Sequence, residues 1–132
     1  MTSLQIVALY AGINLLLLPL LMYRVGQVRI SEKVSLGDGN NPRLLARIRA
    51  HANFAETTPF ALLGLFVISG FSGTPAWLLH LLGGGFTFGR LAHAHGMAQD
   101  KSAGMGRTVG ALLSLLTFVA MGGYLLFKAF TG

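Results

Sequence analysis

The chain has 132 residues, of which 53% are hydrophobic and only 11% charged, against the roughly 25% charged of soluble domains. A soluble domain this small cannot hide so much apolar surface, and a disordered chain would be polar, so the composition points to an integral membrane protein. The absence of cysteine excludes disulfides, thiolate metal ligands and a protein-borne thiol nucleophile, and the net charge of +6 reads as cytoplasm-facing loops rather than a nucleic-acid surface.

The first apolar stretch, residues 3–23, has no charged residue and is long enough to cross a hydrocarbon layer. No basic leader precedes it and no small-x-small site follows, so it reads as a span and not as a secretory signal. Gln5, Asn14 and Pro19 lie inside it, and Pro19 is expected to kink it near its inner end. A polar segment, 24–41, follows, with a turn at Gly37-Asp38-Gly39. Asn41-Pro42 reads as a helix cap followed by proline at the first helical position. The second span, 42–71, carries Arg43, Arg47 and Arg49 in its first turns and extends beyond the bilayer. Ser72-Gly73-Thr74-Pro75 is an uncharged turn in which Thr74 is expected to cap and Pro75 to begin the third span, 75–95. Its Gly83-Gly84-Gly85 and Gly89 suit close approach of another helix, and Gly96 reads as its stop. A loop of glycine and charge, 99–106, leads to the fourth span, 107–130.

Nearly all Lys and Arg fall in or beside the loops after the first and third spans, and Lys128 is the only basic residue near the other side. That asymmetry puts both charged loops inside and both termini outside the cytoplasm. The expected fold is therefore all-α: one four-helix membrane domain over residues 1–132.

Three clusters carry possible chemistry. Arg49, Asn53 and Glu56 are spaced i, i+4, i+7 and share one helix stripe. Charged groups entering a membrane need partners, which leaves two readings open: an inter-helix network, or a site for a small zwitterion. His51 points elsewhere and suits an interface. Arg90 and His93 share a face, whereas His93 and His95 diverge and cannot hold one metal together. No metal is expected, and His80 reads as an interface histidine. Arg107-Thr108 opens the fourth helix, where free N–H groups, the helix dipole and a fixed cation favour an anion such as a thiolate; an ordinary positive-inside anchor is the other reading. No phosphate loop, Ser-His-Asp arrangement or paired carboxylates occur.

The run Arg49-Ala50-His51-x-Asn53-x-x-Glu56-Thr57 with Pro59, then Gly89-Arg90-Leu91-Ala92-His93 and Arg107-Thr108, resembles the MAPEG family, the membrane-associated proteins in eicosanoid and glutathione metabolism. The likeness covers essentially the whole chain and is nearest to bacterial-type members beside the microsomal glutathione transferase and prostaglandin E synthase branch. It implies a homotrimer that binds glutathione between subunits near the cytoplasmic face, in a bacterial inner membrane. It implies that Asn53, Glu56 and His93 touch glutathione, with Arg29 and Arg90 supporting its carboxylates. Arg49 belongs to the same motif, facing ligand or neighbouring subunit. Arg107 matches the arginine that stabilises the thiolate, and Thr108 falls where some members have serine. Met97, Ala52 and Thr57 depart from residues typical of the eicosanoid branches. The implied activity is attack of the glutathione thiolate on a lipophilic electrophile or hydroperoxide arriving from the bilayer. Two other readings stand beside it: a non-catalytic glutathione-binding member, and a small four-helix transporter, which would need an acidic residue that residues 3–23 lack.

Overall fold

In the computed structural model, which describes residues 1–97 and 104–131, the described residues form four helices and no strand: α1 (Ser3–Glu32), α2 (Pro42–Ser69), α3 (Ala76–Gly96) and α4 (Met105–Thr131). Residues 98–103, most of the loop read between the last two spans, lie outside the described residues.

The helix ends follow from local chemistry. Thr2 and Gln5 form a reciprocal capping box at the start of α1: Gln5 N–H donates to Thr2 Oγ1 and Thr2 N–H to Gln5 Oε1. α1 runs unbroken through Pro19 and nine residues past Tyr23, so the helix outlasts its apolar stretch. Polar residues such as Arg24, Gln27 and Arg29 are sound helix formers outside hydrocarbon, and propagation costs little once the helix exists. It stops where Lys33 turns left-handed at φ 55° and Val34 N–H reaches back to Arg29 O at 3.0 Å. Asn41 caps α2 as its sequence predicts, with Oδ1 accepting from Arg43 N and Leu44 N. Thr74 does not cap α3. Its hydroxyl donates to Ile68 O at 3.1 Å, closing the end of α2, and Pro75 is the N-cap with no side-chain bond.

α3 is the central helix. Like α2, it packs against all three other helices, and its seam with α4 is the most extensive, whereas α1 and α4 do not meet among the described residues. Three helices, α1, α2 and α4, are long and apolar enough to cross a membrane. α3 is not among them because glycines, Thr87, Arg90 and histidines dilute it, and those residues largely face other helices. Its 21 residues still rise about 31 Å, the thickness of a bilayer core. Of the most apolar 18 residues of α1, α2 and α4, only 22%, 28% and 22% are buried within the fold. The remaining apolar surface must face hydrocarbon or another copy of the chain.

The α3–α4 seam is the closest approach. A Cβ on Gly110 would run into Gly89 O and the backbone of His93. Gly96 serves the same seam: it is the last residue of α3, and a Cβ there would strike Arg107 N. Gly96 is thus a contact position and not a left-handed stop; the cap is Met97 in a right-handed conformation. One apolar cluster (Ile6, Val7, Leu65, Ile68, Leu79, Leu82, Met121) fills the end of the bundle where α1 begins, and a smaller one (Leu21, Phe54, Ala94) lies toward the other end. α1 is also tied to α3 by polar contacts: Asn14 Nδ2 donates to Thr87 Oγ1 at 2.8 Å, and Tyr10 OH lies 3.0 Å from His80 Nδ1.

Candidate functional site

Helical spacing sets Arg90 and His93 one turn apart on α3, and both are buried, 3% and 7% exposed. The Arg90 guanidinium forks between the two neighbouring helices. Nη2 donates to Asn53 Oδ1 on α2 at 2.7 Å, and Nη1 donates to Ser114 Oγ on α4 at 3.2 Å. Ser114 passes the chain on by donating to Gly110 O at 2.8 Å. One side chain therefore fastens three helices at the same level. A buried guanidinium is tolerable only with such partners.

The α4 backbone at Gly110 lies directly against His93, and Arg90 and Arg107 both lie within electrostatic reach of its ring. Arg107 and Thr108, one turn ahead of Gly110, are exposed on the first turn of α4. Within this cluster, two buried side-chain atoms have no hydrogen-bond partner among the described residues: Arg90 Nε and His93 Nδ1. Buried polar groups are nearly always satisfied, so this cluster is polar machinery with capacity to spare.

Glu56 is exposed one turn beyond Asn53 and makes no hydrogen bond or ion pair among the described residues. The inter-helix network expected on this stripe is therefore made by Asn53, with Arg90, and not by Glu56. Arg49 is exposed one turn before Asn53, and His51 is half-buried. Arg29 stands apart from the Arg90 network. It donates to Gly37 O at 2.8 Å and to Val34 O at 3.4 Å, pinning the loop that follows α1.

Sequence reasoning missed Ser114. The signal for it was the row Gly110, Ser114, Thr117, Met121, which recurs at 4, 3 and 4 residues along the buried face of α4; small residues at that spacing mark a helix seam. Among the described residues, no group of three His, Asp or Glu stands close enough to hold a metal ion.

Four helices with lipid-suited flanks, joined at one end by a buried arginine, an asparagine, a histidine and the cationic start of α4, define a helical membrane protein with a polar site inside its bundle. The model of the MAPEG family matches residues 7–127, and the chain belongs to that family. It is similar to the inner membrane protein YecN of Escherichia coli strain K12, at 33% identity over 113 residues, covering 83% of this chain and 86% of YecN. YecN of Escherichia coli O6:H1 strain CFT073 gives the same identity and coverage. No solved structure matches.

Proposed function

We propose that this protein is a membrane-bound, glutathione-dependent transferase or peroxidase, acting as a homotrimer on lipophilic substrates. The observation that carries the reading is the convergence of Asn53, Arg90 and His93 with the start of α4 at one end of the bundle. Glutathione has two carboxylates, one ammonium and one thiol. This end offers arginines for the carboxylates, Glu56 for the ammonium and Arg107 at a helix N-terminus for the thiolate. Arg49, Glu56, Arg107 and Thr108 are exposed on a single chain, which suits a site completed by a neighbouring subunit. Arg90 then acts mainly as a positioning residue, holding Asn53 and α3, while Arg29 orders its loop.

A cysteine-free protein doing thiol chemistry must borrow its sulfur. Arg107 lowers the thiol pKa of bound glutathione by ~1–2 units, worth ~1.4 kcal/mol per unit. The thiolate attacks an electrophilic carbon; a C–S bond forms and the leaving group departs with its electron pair. With a lipid hydroperoxide, the O–O bond breaks, two glutathiones are oxidised to the disulfide, and alcohol and water leave. The membrane is the inner membrane, as the name of the Escherichia coli relatives gives for them, with charged loops cytoplasmic and both termini outside.

The decisive experiment is the ultraviolet thiolate signal of glutathione titrated into purified protein at neutral pH. A saturable signal is expected, and its absence would overturn the proposal. Met97, which stands where the eicosanoid enzymes have a glutathione-contacting tyrosine, and Ala52, where the prostaglandin branch has another arginine, favour one alternative, a non-catalytic binding member. Glutathione bound without conversion across a panel of electrophiles and hydroperoxides would select it.

A further inference from the structure

The last turn of α3 meets the first turns of α4 backbone to backbone, and the contact is made at Gly96, Gly104, Gly106 and Gly110. A Cβ on Gly104 would stand 3.2 Å from Gly96 O, and one on Gly106 would stand 2.9 Å from Ala92 O and 3.4 Å from Gly96 Cα. A Cβ on Gly96 would strike Arg107 N and lie 3.0 Å from Arg107 Cα. One turn further along α4, a Cβ on Gly110 would meet the His93 backbone and lie 2.7 Å from His93 Cβ. These neighbours are all backbone or Cβ atoms, which no change of rotamer can move aside. A methyl group at Gly96 or Gly106 is therefore accommodated only by moving one helix end away from the other, and the end that starts α4 carries Arg107.

We propose that Gly96 and Gly106 are positioning residues of the thiolate site: they let the start of α4 seat on α3 where Arg107 and the positive helix end stand beside the glutathione sulfur. The inference rests on the glutathione reading and assigns to it two residues that touch no substrate. The influence of a helix start fades within its first turn, and Coulomb attraction falls with distance, so what a thiol feels depends on where that turn stands. Arg107 is exposed, and its backbone seat on Gly96 fixes where its side chain begins. The joint also carries polar capacity for a ligand: buried His93 packs on Gly110, Arg107 reaches its ring electrostatically, and its Nδ1 has no hydrogen-bond partner among the described residues. Gly85 gives the contrast on the same helix. A Cβ there would meet Thr117 Oγ1 at 3.5 Å, an ordinary contact that requires no movement.

The test is the ultraviolet thiolate signal of bound glutathione, titrated against pH in the wild-type protein and in Gly96→Ala, Gly106→Ala and Gly85→Ala. The first two changes should raise the bound thiol pKa by ~0.5–1 unit, so that below the pKa the thiolate fraction falls about three- to tenfold, while Gly85→Ala leaves it where it was. Raising the pH should restore the signal in both variants, which a loss of folded protein would not allow. Gly106→Ala makes the milder contact and carries the test if Gly96→Ala fails to fold. A saturable wild-type signal whose pKa is unmoved in the folded variants, or moved equally by Gly85→Ala, would overturn this inference alone. The lack of any saturable wild-type signal at neutral pH would overturn the glutathione reading and this inference with it.

Discussion

Buried Arg90 on α3 donates to half-buried Asn53 on α2 through a 2.7 Å bond from Nη2 to Oδ1. The bond gives Asn53 two duties. Its carbonyl is committed to holding the bundle, which leaves the amide Nδ2 as the group able to donate to a ligand. It also means that a ligand near Asn53 is coupled to the packing of α3, because any shift of Asn53 is transmitted to the guanidinium and through it to Ser114.

That linkage is measurable by a double-mutant cycle of Arg90→Gln and Asn53→Ala, followed by unfolding in detergent. Each change should destabilise the fold, and the pair should be less costly than the sum by about 0.5–2 kcal/mol, the range of interhelical polar bonds in membranes and of bonds to charged groups. Strict additivity would mean that the contact contributes nothing to stability. Arg90→Lys should recover only part of the loss, since an ammonium cannot fork to Asn53 and Ser114 at once.

The α3–α4 seam predicts a contrast between glycines on one helix. Gly110→Ala places a methyl against Gly89 O and the His93 backbone, whereas Gly122→Ala meets nothing within 4 Å. The first should lower stability by about 1–3 kcal/mol, as overpacking does, and, if His93 touches glutathione as proposed, should weaken its binding by displacing that side chain. The second should be neutral or stabilising by a few tenths of a kcal/mol. Thermal unfolding of both variants in one detergent checks the pair, and equal melting temperatures would remove the seam from the account.

Much of the fold was legible because membrane helices are written in length and charge. The apolar run from residue 3, the Asn41-Pro42 cap and the basic bias of two loops each rest on one local rule. What was not legible depended on neighbours. The continuation of α1 through Arg24 to Glu32 has no hydropathy signal, since a helix leaving the bilayer changes composition without changing conformation. Gly96 does end α3 as its sequence suggests, but the approach of Arg107 N that requires a glycine there is a tertiary fact. The stripe Arg49–Asn53–Glu56 was visible as spacing, but only coordinates separate the half-buried, committed Asn53 from the exposed Glu56.

That separation yields a prediction for Glu56. Because it makes no hydrogen bond or ion pair among the described residues, Glu56→Gln should leave the unfolding of the chain within about 0.5 kcal/mol of wild type, as for ordinary surface positions. If it meets the glutathione ammonium, binding should fall about tenfold or more, or ~1.4 kcal/mol. Calorimetric titration with glutathione beside a melting curve distinguishes the outcomes. Unchanged affinity would take Glu56 out of the site.

Arg107 offers the sharpest separation of structure from chemistry. Its side chain is exposed on the first turn of α4, so Arg107→Ala should preserve the fold and the oligomer measured by light scattering. If Arg107 is the cation beside the bound glutathione thiol, as proposed, the thiol pKa should rise by ~1–2 units toward the ordinary thiol value. At neutral pH, each unit removes about nine-tenths of the thiolate, so turnover should fall roughly 10- to 100-fold while glutathione affinity changes little. The rate should recover as pH is raised, shifting the ascending limb of the pH profile by the same 1–2 units, and Arg107→Lys should lie between alanine and wild type. A variant that loses turnover equally at all pH values would make Arg107 an anchor of α4, and the thiolate would then have to be stabilised by the helix N-terminus without it.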